Sequence, residues 1–157
     1  MYDTTKDLLD AFGATPDTLR GLLHHCTHEA AAVARGGDEN WSVVEVMCHL
    51  RDAEESALGR MRLMRDESHP WLAAYDQDAW VVERHYAAER LETAVATFLQ
   101  LRTIYLTELA ALREEDWERS GQHEEQGEIT IRSHTLHLVS HDAVHLAQIA
   151  RQLMAST

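Results

Sequence analysis

Apolar residues return at helical spacing through four stretches of this chain. In the first, from about Thr4 to Ala34, the stripe is set by Leu8, Leu9, Phe12, Leu19, Leu22 and Leu23. Pro16 suits a helix start better than a helix interior, because it lacks the N–H that bonds four residues back. A kink or split is therefore expected within GATPDTLRGLL. The paired glycines of ARGGDEN then end the helix, since glycine accepts a left-handed turn.

The second stretch is NWSVVEVMCHLRDAEESALGRMRLMRDE, with Val43, Val46, Met47, Leu50, Ala53, Ala57, Met61 and Met64 on its apolar stripe. Ser42 is the predicted N-cap and Glu45, three positions on, completes a capping box. Trp41 before the cap can staple onto Val46, and the helix is expected to stop near Glu67. Residues 68–88 show no clean period and read as a long crossover with one short helical turn. A third helix is predicted from about Ala88 to Leu112 on Leu91, Val95, Phe98, Leu99, Tyr105, Leu106 and Leu109. The acidic run between Glu108 and Glu128 reads as a solvated connector. The last helix spans about Ile131 to Met154 with Thr130 as N-cap, and its few charges (Arg132, Asp142, Arg151) predict an interior position.

Four long helices and one long crossover predict an all-α four-helix bundle, with residues 1–157 forming a single domain. No glycine-rich phosphate loop, strand alternation or internal repeat is visible. Two prolines and seven glycines leave the helical reading intact.

Charge narrows the partners. Acidic residues number 27 against 14 basic ones, a formal charge of -13 with no basic cluster, which argues against nucleic acid and anionic membrane. Such a surface attracts cations. Cys26 and Cys48 each fall in a predicted helix and form no disulfide framework. The opening MYDTTKDLLDAF is not a secretory leader, and no apolar run approaches the roughly 20 residues of a membrane span, so a cytoplasmic location is expected.

The candidate chemistry lies in HTLHLVSHDAVHLAQI, residues 134–149, which holds four of the eleven histidines. His141 and His145 are four apart, about 400° of helical rotation, so both leave one face a turn apart. A lone pair of this kind is weak on its own, but this one sits among Leu138, Val139, Val144, Leu146 and Ile149. Burial favours neutral imidazole, the form a metal needs. A third ligand must come from another helix, and His49 in CHLRDAEES offers it. Three nitrogens leave open positions for water or a thiol. Zinc, nickel or another divalent ion would suit the set.

Asp52, three residues after His49, is a candidate to orient a histidine, bridge to a metal-bound water or take its proton; an ordinary exposed helix acid is the alternative. Glu45 is explained by capping, and Asp142 is expected to point away from the histidine pair. His134 and His137 extend the stripe as a pocket wall or helix surface. His24, His25 and His28 are expected at the surface, and His69, His85 and His123 fall in connectors.

The segment WSVVEVMCHLRDAE followed some ninety residues later by HDAVHLAQIARQL resembles the DinB-like or YfiT-like superfamily of metalloenzymes, a bacterial stress-related family distinct from the DNA polymerase that shares the name. The likeness extends over Asp76 to Trp80 and the connector EEDWERSGQHEEQGEITI, nearly the whole chain. It implies a bundle in up-down-down-up order, and a metal triad mapping onto His49, His141 and His145. It implies small-molecule substrates, with a low-molecular-weight-thiol (bacillithiol or mycothiol) S-transferase as the leading activity. A hydrolase with Asp52 as base, and a non-enzymatic metal-binding protein, are the alternatives. Homodimers are implied as well.

Overall fold

A computed structural model describes residues 4–37 and 39–156. Four long helices dominate: α1 (Thr5–Leu23), α3 (Val43–Asp66), α5 (Leu91–Ala110) and α6 (Ile131–Ala155). Two short ones, α2 (His28–Val33) and α4 (Gln77–Glu83), lie in the connections. Around the bundle the long helices follow the order α1, α6, α3, α5, each packing on the two beside it. None of the described helices is long and apolar enough to cross a membrane.

The helix starts follow the capping chemistry written in the sequence. Ser42 Oγ accepts from the Glu45 N–H at 3.2 Å, and the Glu45 carboxylate accepts from the Ser42 N–H at 2.7 Å. Thr130 Oγ1 accepts from the Ser133 N–H at 3.1 Å, and Ser133 Oγ accepts from the Thr130 N–H at 2.9 Å. Trp41 and Val46 are buried in one core cluster, as a staple requires. Residues 41–50 are buried on every face, because α2, α5 and the short β1–β2 hairpin (Arg35–Gly36, Trp41–Ser42) crowd around this end of α3.

Pro16 breaks nothing. It lies inside α1, whose buried stripe is Leu8, Phe12, Thr15 and Leu19. Its missing N–H leaves the Phe12 carbonyl free, and Arg102 Nη1 donates to that oxygen at 2.8 Å. The actual break falls after Leu23, and Thr27 starts α2 by accepting from the Ala30 N–H.

The connectors are more ordered than their composition suggests. Although no strand alternation is visible in the sequence, β4 (Ser120–His123) and β5 (Gly127–Thr130) form an antiparallel hairpin, and β3 (Trp71–Leu72) pairs parallel to β4. The acidic connector is likewise only half solvated. Trp117 is buried in one core cluster with Met61, Leu72 and Leu138, and His123 is buried at the end of β4. Strands this short pair through backbone bonds and one or two apolar anchors, which leaves little alternation to read.

Candidate metal centre

His49 sits in the enclosed second turn of α3, and His141 and His145 on one face of α6. The structure brings the three together. The Nε2 atoms of His49 and His141 approach to 2.9 Å. Ring centroids are 5.0 Å apart for His49 and His141, 4.7 Å for His49 and His145, and 4.6 Å for His141 and His145. One nitrogen from each lies within 4.8 Å of the others, and no other group of His, Cys, Asp and Glu among the described residues converges this way.

The donor set fits a divalent cation on two counts. Burial pushes the His49 imidazole down to about 4, with His145 adding to the effect and Asp52 opposing it. Burial, then His145, His49, His137 and Arg102, push His141 down to about 2. Both rings are thus neutral near pH 7, with lone pairs available. Separately, His145 Nδ1 lies 2.9 Å from Gln148 Oε1. An amide oxygen only accepts, so Nδ1 carries the proton and Nε2 is free to ligate.

Gln148 Nε2 donates to the Gly36 carbonyl at 3.5 Å, and the next turn of α6 reinforces that contact. Gln152 Nε2 donates to the Trp41 carbonyl at 2.9 Å and to the Gly36 carbonyl at 3.1 Å, tying the end of α6 to the β1–β2 hairpin. A Cβ on Gly37, whose φ is +79°, would meet Gln148 Nε2 at 2.7 Å. The glycine pair therefore serves both the left-handed turn and the close approach of α6.

Asp52 is not an exposed helix acid. It is 2% exposed. Its Oδ1 accepts from Arg51 Nε at 2.7 Å, and its Oδ2 accepts from the Tyr86 hydroxyl at 2.7 Å and pairs with Arg84 Nη1 at 3.0 Å. Burial and the Asp52 carboxylate both push the Tyr86 hydroxyl upward, so Tyr86 stays a donor. Asp142 turns from the histidine pair into the core, where it accepts from Thr15 Oγ1 and pairs with Arg102, which also grips Glu54. His134 is a buried wall rather than surface, and His137 is exposed at a cleft, its ring 6.3 Å from that of His141. His24 and His25 are exposed as expected; His28 is half-buried and accepts from the Leu91 N–H at 3.3 Å.

Sequence reading missed Gln148, Tyr86, Arg84 and the Arg102 cluster. Gln148 could have been found three residues after His145, on the same helical face. Arg102 is the one basic residue of α5, a lone cation in an apolar helix that asks for a buried partner.

A family model, the DinB superfamily, matches residues 11–149. Two curated relatives from Oceanobacillus iheyensis, provisionally named metal-dependent hydrolases OB0413 and OB0782, are 24% identical over 110 residues and 29% identical over 109 residues. These matches cover 70% and 69% of this chain, and the chain spans 63% of each relative's length. YfiT of Bacillus subtilis, provisionally named in the same way, is 23% identical over 120 residues. The solved structure of YfiT, described as a probable metal-dependent hydrolase with an unusual four-helix bundle topology, matches with a TM-score of 0.87 at 20% identity. It covers 97% of this chain and 87% of that one. The likeness shows the fold: an all-α fold resembling the YfiT four-helix bundle.

Proposed function

The chain belongs to the DinB superfamily, and on that premise we propose that it is a metal-dependent hydrolase of small molecules in which His49, His141 and His145 hold one divalent ion. The observation that carries this reading is the convergence of three imidazoles, one nitrogen each within 4.8 Å of the others. The names of the curated relatives support the reaction class. A divalent ion held there, zinc or nickel by donor type, supplies Lewis acidity and lowers the pKa of water at its open positions.

The chain's own residues prepare the site. Gln148 fixes the His145 tautomer, and burial keeps His49 and His141 unprotonated. We assign Asp52 a positioning role rather than that of a base, because three donors already occupy its oxygens. Its charge, one turn from His49, favours a cation at the triad. A closed, non-catalytic metal site would need a fourth protein ligand, and Asp52 is engaged elsewhere. The thiol-transferase reading rests on family resemblance alone. The same resemblance supports up-down-down-up helix order and a homodimer.

The test is turnover by the zinc- or nickel-loaded full chain against small esters, amides and lactones, with and without added thiols. Hydrolysis that needs the ion and disappears in His49→Ala is expected. Turnover only when a thiol is added would replace the hydrolase with a transferase.

A further inference from the structure

The seam that carries the triad continues beyond it. On α3, His49, Ala53, Ala57 and Arg60 follow at spacings of four, four and three, one helical face. On α6, His141, Leu138 and His134 run along the facing side. The two alanines leave a small cavity of about 40 Å³ bounded at one end by His141 and at the other by Arg60. It adjoins a polar cleft of about 640 Å³, and Arg60, Tyr75, Gln126 and His137 border both spaces.

Three polar groups here lack the partners their chemistry requires. Arg60 Nη2 donates to the Ala73 carbonyl at 2.6 Å and its guanidinium lies 5.3 Å from the Tyr75 ring centroid. Yet Arg60 forms no ion pair among the described residues, unlike Arg51, Arg84 and Arg102. His134 is 4% exposed and its Nε2 has no hydrogen-bond partner. His123 Nδ1 accepts from the N–H groups of Glu125 and Gln126 at 3.2 and 3.3 Å, which places the proton on Nε2; that buried N–H has no acceptor. Of the three rim acids, Glu125 acts on Arg60 through space without pairing to it, and the other two are committed elsewhere. Asp76 Oδ1 caps α4 by accepting from Asp78 and Ala79, and Glu124 Oε2 accepts from the Ala74 N–H.

We infer that this cleft binds an oxyanion group of the substrate, a carboxylate or a phosphate, on Arg60, with the reactive part of the same molecule lying along the alanine-floored cavity toward His141. A guanidinium fork supplies paired donors to either oxyanion, and a bound anion supplies the contact ion pair that this partly buried cation lacks. The second half of the inference rests on the hydrolase reading; the first stands without it. Arg60 lies eleven residues beyond His49, a rise of about 16 Å along α3. On that second half, the natural ligand is an elongated small molecule, and a simple anion probes the Arg60 end alone.

The test uses the full chain, zinc-free and zinc-loaded, titrated calorimetrically with succinate, inorganic phosphate and the neutral analogue succinamide. Succinate or phosphate is expected to bind both forms and to shift the Arg60 side-chain resonance, with succinamide silent; which anion binds more tightly identifies the source. Arg60→Gln is expected to weaken binding by about tenfold or more and Arg60→Lys to retain part of it, with zinc content the same throughout. An unchanged Kd in Arg60→Gln, or no binding by either anion, overturns the inference. If Arg60→Gln does not fold, the Arg60 resonance in the unaltered chain and the Arg60→Lys titration decide. Zinc binding without hydrolysis, alongside Arg60-dependent anion binding, would sink the hydrolase reading alone.

Discussion

Arg102 Nη1 donates to the Phe12 carbonyl at 2.8 Å, the acceptor that Pro16 leaves open. The same guanidinium holds Glu54 at 2.7 and 2.9 Å and Asp142 at 2.8 Å, and its side chain is 0% exposed. Asp142 also accepts from Thr15. One cation thus links all four long helices and fixes the rotation of α6 beside His141.

Replacing Arg102 strands two buried carboxylates. Arg102→Met is expected to destabilise the chain by about 3–5 kcal/mol, read by urea unfolding. Burial raises the Glu54 pKa and Arg102 opposes the rise. A carboxyl with a raised folded pKa favours the native state at low pH and loses that contribution as pH rises through it. Without Arg102 the pKa climbs further, so the variant's deficit should be largest near neutrality and shrink toward pH 5.

His134 sets a pH dependence of opposite sign. Burial first, then Arg60, His137 and His123, push it down to about 3. The unfolded chain takes up that proton near pH 6.5 and the native chain does not, so stability is present above pH 6.5 and lost as pH falls. At pH 5 the loss amounts to about 2 kcal/mol. His134→Leu should give a flatter profile between pH 7 and 5 in thermal unfolding.

Gln148→Leu removes the acceptor that fixes the His145 tautomer. Metal affinity is expected to fall about 10- to 100-fold with the fold retained, measured by competition with a chelating dye. Gly37→Ala presses on the same Gln148 amide and should lower affinity in the same direction.

Asp52→Asn separates positioning from proton transfer. Loss of the carboxylate leaves Arg51 with Glu89 and Arg84 with Glu55, so a stability cost of about 1–3 kcal/mol is expected. Metal content should stay near that of the unaltered chain. Tyr86→Phe should reproduce part of the stability loss; full activity loss in Asp52→Asn alone, with Tyr86→Phe unaffected, would restore the base role.

The long helices were legible because their signals are local. The Ser42–Glu45 box, the Thr130 cap and the stripe from Val43 to Met64 each need only a few neighbouring residues. His141 and His145 follow from one helical turn. The hairpin at 120–130 was not legible, because the buried alternate positions of β4 are Gly121 and His123 rather than apolar residues, and its pairing to Trp71–Leu72 spans some fifty residues. The unbroken passage through Pro16 was hidden for the same reason: the donor that replaces its N–H sits on α5. The partners of Asp52 are also distant, since Tyr86 and Arg84 arrive on the crossover, and no spacing rule on α3 announces them.

Elemental analysis of tag-free protein, paired with His145→Ala, tests the central claim most directly. About one divalent ion per chain is predicted, largely lost in the variant. A chain that purifies and reconstitutes without metal, or a variant that keeps its full complement, would contradict the account.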